Sequence, residues 1–238
     1  MNLFYLLTYI VCFAYVTLMI FYFIGWKKTT ESRIQNPESR IQNLTIVSII
    51  IPARNEEENI LKILDCLYKQ TYPIDKFEII VVDDHSSDRT AEFVYLLDIP
   101  TLKLVQLSEP RAGKKQAITE GIKSAIGNLI ITTDADCEMG ENWLSSIVSF
   151  YEEHTPKMIV APVLLKGEKT IHEIFQSQEM TVLTASASAS LYYNLPIGCN
   201  GANLVYEKEA FHSVNGFEGV DTTATGDDIF LMLKVHKK

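Results

Sequence analysis

A chain of 238 residues with 47% hydrophobic and 21% charged residues can hold one substantial core plus an appendage. Its formal charge of −9, with no basic stripe, argues against nucleic acid as a main partner. The four cysteines, Cys12, Cys66, Cys137 and Cys199, form no C-x-x-C, and the five histidines form no H-x-x-x-H or H-E-x-x-H. Neither a zinc site nor a disulfide framework is expected, and a reducing compartment fits.

Leu3 to Ile24 is 22 residues without a charge. As a helix it spans about 33 Å, enough for a bilayer core. It lacks a charged segment before it and a small-residue cleavage site after it, so it reads as an uncleaved anchor and not as a signal peptide. All its faces are apolar, which also sets it apart from a buried core helix. Trp26 falls at interface depth and Lys27 and Lys28 follow, which predicts a single-pass membrane protein with everything downstream in the cytoplasm. Next, the six residues Glu31–Asn36 recur as Glu38–Asn43 around Pro37, as a tolerant polar spacer allows. The expected organisation is an anchor over 1–26, a linker over 27–44 and one domain over 45–238.

From Thr45 the elements alternate. Strands are predicted at Ile46–Ile51, Phe77–Val82, Leu102–Leu107 and Leu129–Thr133. Helices are predicted at about Glu57–Tyr68, Asp88–Leu97 and Lys114–Ala125. The strands are continuous apolar runs, so both faces are buried, and the fold class is α/β with a sheet flanked by helices. In such sheets ligands bind beyond the carboxyl ends of the strands, where the polar residues of this chain collect. Strand one ends in I-P-A-R-N-E, with Pro52 closing it. Strand two ends at Asp83 and Asp84, with Asp88 placed to cap the next helix. After strand three, E-P-R-A-G-K-K-Q-A puts Gly113, Lys114 and Lys115 at a helix start, suited to a phosphate. Strand four ends in Asp134-Ala135-Asp136; if strand geometry persists, both carboxylates project to one side and suit Mg²⁺ or Mn²⁺. Taken singly, each cluster is more often a turn, a cap or a solvated surface; it is four at equivalent ends of one sheet that point to a site.

Further on, Met158–Leu165 reads as a strand and Ile171–Ala189 as a packed helix, with an interfacial helix as the less favoured alternative. Met180 to Tyr206 carries no charge but is too polar, and too interrupted by Pro196 and Gly198, for a second span. Then come G-C-N-G-A-N, with Cys199 an inert small hydrophobe by default, and T-G-D-D-I-F-L from Thr225. The two acids of the latter have the alternative of simply stabilising a helix N-terminus.

The series I-P-A-R-N-E, V-V-D-D-x-S-x-D, G-K-K-x-A, D-A-D, G-A-N and G-D-D-x-x-L resembles the family 2 glycosyltransferases over about four fifths of the chain, from Ile46 onward. The resemblance implies a GT-A (Rossmann-like), mostly parallel sheet. It also implies an inverting transfer of sugar from a nucleotide-diphosphate donor, UDP by family habit, to a glycan or lipid-linked acceptor. Asp83 and Asp84 would bind the nucleoside, and Pro52, Ala53, Arg54, Glu56 and Lys114 would border it. Asp134 and Asp136 would hold the metal and diphosphate. Asn200, Gly201, Ala202 and Asp227 would lie by the donor sugar and acceptor, and Asp228 would be the general base. The family's Q-x-x-R-W segment does not follow Asp228, so processive synthesis is unsupported and a C-terminally truncated chain is expected. The alternatives are a catalytically incomplete nucleotide-binding scaffold and a sugar-phosphate nucleotidyltransferase. The latter's G-x-G-x-R start is not present after strand one.

Overall fold

The computed structural model describes residues 3–31, 45–108, 113–166, 170–219 and 226–238. Most of the predicted linker, residues 109–112 of the glycine-lysine stretch, and Thr225 lie outside the described residues.

The chain forms two compact units, one made by 1–33 with 162–199 and the other by 34–161 with 200–238. The segment that the sequence assigns to the middle of the 45–238 domain therefore clusters with the N-terminal helix. That helix, α1 (Leu3–Glu31), is long and apolar enough to cross a membrane, and its residues 3–20 leave their side chains exposed.

The second unit is a six-stranded sheet of β1 (Val47–Ala53), β2 (Phe77–Asp83), β3 (Leu102–Gln106), β4 (Leu129–Thr132), β5 (Met158–Val160) and β6 (Leu204–Glu207), in the order β3-β2-β1-β4-β6-β5. The first four run parallel, while β6 is antiparallel to both β4 and β5. Every residue of β2 and β4 is buried, as their unbroken apolar runs require. Odd positions of β1 (Val47, Ile49, Ile51 and Ala53) join a core with α2 (Ile60–Tyr68) and α5 (Trp143–His154). Both helices bury positions i, i+3 and i+4, namely Ile60, Ile63 and Leu64, and Leu144, Ile147 and Val148. Each side chain so buried contributes about 1.5–3 kcal/mol. On the other face, α4 (Lys114–Ser124) lays Gly121 against the sheet. A Cβ there would stand 2.6 Å from Ile50 Cγ2, so glycine sets how closely α4 approaches.

Two local expectations change. Strand β1 does not stop at Pro52 but pairs through Ala53 with Asp83. Ile50 O accepts from Thr133 N, so by alternation Pro52 faces the same neighbour, and β4 pairing has ended by then. The missing proline N–H therefore costs no ladder bond. The predicted Met158–Leu165 strand is three residues long, because from Pro162 the chain joins the other unit.

Glu78, 4% exposed on β2, anchors the end of the sheet opposite the polar loops. It accepts from Ser48 Oγ at 2.5 Å and from Ile126 N at 2.6 Å, and pairs with Lys103 at 2.6 Å. Burial alone would raise its carboxyl, but the bonds from Lys103, Ser48 and Ile126 outweigh it and hold it below its ordinary 4.5. A lowered native carboxyl contributes stability that is complete above the ordinary value and is lost as pH falls through the lowered one. Glu78→Gln should therefore cost about 1–3 kcal/mol at neutral pH. It should also flatten the acid limb of the stability curve, as read by urea unfolding of the detergent-solubilised chain from pH 7 down to pH 3.

Candidate active site

The loops after β1 and β2 are stitched to each other. Asn55 N donates to Ser86 Oγ at 2.9 Å, Ser87 N to Asn55 Oδ1 at 2.8 Å, and Glu56 N to Thr90 Oγ1 at 2.7 Å. The N-cap of α3 (Thr90–Leu96) is Arg89, whose side chain makes no cap bond; Asp88, expected as the cap, stands one place earlier and accepts from Thr90 N at 3.0 Å and from Glu57 N. Asn55 and His85 adopt positive φ to make these turns. Glu56 is spent locally, accepting from Asn59 Nδ2 at 3.0 Å at the start of α2.

The acid pair is buried. Asp83 is 3% exposed and Asp84 6%, with Ser86 N donating to Asp83 Oδ1 and Ala53 O accepting from Asp84 N. Asp84 holds three loops at once. It accepts from Gly113 N at 2.8 Å, contacts His85 Nδ1 at 3.0 Å and lies 3.9 Å from the exposed Arg54 guanidinium. Gly113 sits at φ +95, and the next residue, Lys114, opens α4. A buried carboxylate just after β2 thus fixes the backbone that aims Lys114.

Lys114 Nζ reaches Asp134 Oδ1 at 2.5 Å. The D-x-D carboxylates do not share a strand face, as β4 ends at Thr132 and Asp134 opens a turn in which Cys137 N bonds Asp134 O. Asp136 is exposed. Among the described residues no group of three or more His, Cys, Asp or Glu is placed to hold a metal ion. Two carboxylates on a turn nonetheless fit a hard cation that takes its remaining ligands from substrate oxygens and water. The Lys114 and Asp134 side chains are 42% and 34% exposed, and a pair so solvated is worth about 1 kcal/mol or less, so either partner exchanges readily for a ligand.

The third cluster comes from β6 and α8 (Asp227–His236). Asn200 Oδ1 accepts from Ala202 N, shaping a 3₁₀ turn over Gly201–Asn203. Gly201 N then donates to Asp228 Oδ2 at 2.9 Å, and Thr132 Oγ1 donates to Gly201 O at 3.0 Å. A cavity of about 290 Å³ opens here, lined by Lys114, Thr132, Asn200, Gly201, Tyr206, Asp227 and Asp228 among others. Ala202 is 8% exposed beside it. Pro52, Ala53, Arg54, Glu56, Asp83 and Asp84 do not line this cavity; their cluster connects to it through Gly113 and Lys114. Burial pushes the Cys137 thiol above its ordinary value.

Tyr206 is a site residue that no sequence motif marks. It lines the cavity at 1% exposure, its ring stacks on Phe211 at 5.8 Å, and its hydroxyl has no hydrogen-bond partner among the described residues. Burial first, then the charge of Asp227, pushes the phenol upward, so it stays neutral. Removing an unsatisfied buried hydroxyl is favourable. Tyr206→Phe should therefore stabilise the fold by about 1–3 kcal/mol, seen as a higher unfolding midpoint. The signal available in sequence was its place in the apolar run Leu204–Tyr206, facing the motif that contains Asp227.

Comparison with known proteins bears on this geometry. A family model described as Glycosyl transferase family 2 matches residues 48–214. A probable glycosyltransferase of Sulfolobus acidocaldarius is 26% identical over 216 residues, covering 87% of this chain and 46% of that protein. Among solved structures, the mannosyltransferase of Pyrobaculum calidifontis in complex with GDP-Man and Mn²⁺ superposes with a TM-score of 0.66 at 24% identity, over 91% of this chain and 59% of that one. Residues 1–349 of Staphylococcus aureus TarS in complex with UDP-GlcNAc give 0.58 at 22% identity, over 80% and 53%. The chain spans less than half the length of the first curated relatives it matches. These likenesses agree with the GT-A, mostly parallel α/β fold.

Proposed function

Because the chain belongs to glycosyl transferase family 2, we propose that it moves a sugar from a nucleoside-diphosphate donor to a hydroxyl of a glycan or lipid-linked acceptor, with inversion. The observation that carries this reading is the meeting of Lys114, Gly201, Asp227 and Asp228 on one cavity, with Lys114 bonded to Asp134. Lysine and candidate base then line one space; Asp134 and Asp136 do not line it, and Asp134 connects to it through Lys114.

In this reading the nucleoside sits by Asp83 and Asp84, and Lys114 turns from Asp134 to the diphosphate. Mg²⁺ or Mn²⁺ held by Asp134 and Asp136 would supply Lewis-acid compensation of the charge on the leaving group. Asp228 takes the proton of the acceptor hydroxyl as that oxygen bonds to the anomeric carbon and the bond to the diphosphate breaks. The Gly201 N–H bonded to Oδ2 holds the carboxylate in place, and a carboxylate has lone pairs left to receive the proton. The donors GDP-Man and UDP-GlcNAc and the Mn²⁺ named for the neighbour structures support the donor class and metal. Helix α1 supports a membrane anchor, with Lys27 and Lys28 pointing to a cytoplasmic catalytic unit.

Calorimetric titration of the solubilised chain with UDP and GDP, with and without Mn²⁺, tests this. Binding of one nucleotide that strengthens with Mn²⁺ is expected. Binding of neither under any condition would overturn the donor site.

A further inference from the structure

We propose that the end of α6 (Ile171–Tyr192) and the turn after it, residues 192–197, are a second membrane contact, seated in the interfacial layer of the bilayer beside α1. The pairing of the two helices carries it. The ring of Tyr193 stacks on Phe21 at 3.9 Å and 17°, and its hydroxyl donates to Phe21 O at 3.1 Å. Four residues along α1, Gly25 faces Ala189 and Tyr193; a Cβ there would stand 2.4 Å from Ala189 O. Four residues further, Thr29 meets Ser188 Oγ at 3.4 Å. As the α1 number rises the α6 number falls, so the helices are antiparallel, and the turn lies toward the apolar body of α1.

That register sets a depth. If Leu3–Ile24 crosses the hydrocarbon, Phe21 lies about 4.5 Å inside its end at 1.5 Å per residue, and Tyr193, stacked on it, shares that depth. Around it Tyr192, Leu195 and Ile197 are 49%, 51% and 53% exposed. No charged residue occurs between Met180 and Tyr206. Within the turn, Asn194 N donates to Leu191 O and Leu195 N to Ser190 O, so these two backbone donors are already satisfied before any lipid arrives. Tyrosine is enriched at this level, and the Tyr193 hydroxyl has its partner in Phe21 O. The other end of α6, at Ile171, points away from the hydrocarbon in this pairing, so the apolar residues there are not part of the contact.

The inference rests on α1 being a membrane anchor, and the test separates the two. The full chain is placed in nanodiscs of phosphatidylcholine and phosphatidylglycerol doped with a phospholipid carrying a diazirine on its acyl chain. After photolysis, adducts are mapped by peptide mass spectrometry. Adducts over 192–197 comparable to those over 3–24, with none over Trp143–His154 of α5, are expected. Adducts over 3–24 without any over 192–197 overturn the inference and leave the anchor standing. No adduct on either segment removes the anchor and the inference with it.

Discussion

Asp228→Asn is expected to lower the rate of sugar transfer by about 10²–10⁴-fold, the range lost with a general base, while nucleotide affinity stays as in the parent. The amide oxygen can still accept the Gly201 N–H that now lies 2.9 Å from Oδ2, at the expense of the Ile229 N–H that Oδ1 now accepts at 2.9 Å, so the 3₁₀ turn keeps its tie to α8. What disappears is the negative charge able to receive the acceptor's proton. At the first turn of α8 the exchange also forfeits a favourable helix-dipole interaction, which costs about 0.3–1 kcal/mol of stability, too little to unfold the chain. The measurement is nucleotide diphosphate released per minute from a donor sugar, alongside a titration with the nucleotide alone. An unaltered rate would remove Asp228 from the chemistry and leave it as a turn anchor.

Asp134→Ala is expected to abolish the metal-dependent part of donor binding, a loss of several kcal/mol of electrostatic stabilisation, or about a hundredfold or more in affinity. It also frees Lys114, whose ammonium bonds Asp134 Oδ1 at 2.5 Å. Lys114→Met separates the two effects. It should weaken nucleotide binding while leaving the response to Mn²⁺ in place, since both carboxylates remain. Calorimetry on the parent and both variants, with and without Mn²⁺, reads this. A Mn²⁺ response that survives in Asp134→Ala would place the cation elsewhere.

Much of the cluster after β1 and β2 was legible because its signals are local. The apolar runs Ile49–Ile51 and Ile79–Val82 can only be buried strands, and each is followed at once by its polar loop. The resemblance then gave those loops chemical roles. Asp88 was legible as serving the start of α3 for the same reason, two residues separating it from Thr90 N, although the N-cap itself is Arg89. Helix α5 and strand β6 were not read as elements. Leu204–Glu207 is four residues long, too short for periodicity, and becomes a strand only by pairing with β4 and β5. Nor does strand geometry persist from β4 into the D-x-D triplet, because the backbone there closes into the Asp134–Cys137 turn.

By itself, the sequence determined the order of strands and helices in the first half, the apolar N-terminal helix, and the carboxylates and lysine available for chemistry, since these depend on residues within a turn or two of each other. Only the tertiary structure decided how they combine. Asp84 meets Gly113, Lys114 meets Asp134 and Gly201 meets Asp228 across gaps of 29, 20 and 27 residues, and residues 162–199 join α1 instead of the sheet. Such contacts depend on which strands lie side by side and which helix faces remain to be covered, and neither is encoded in any one stretch of chain.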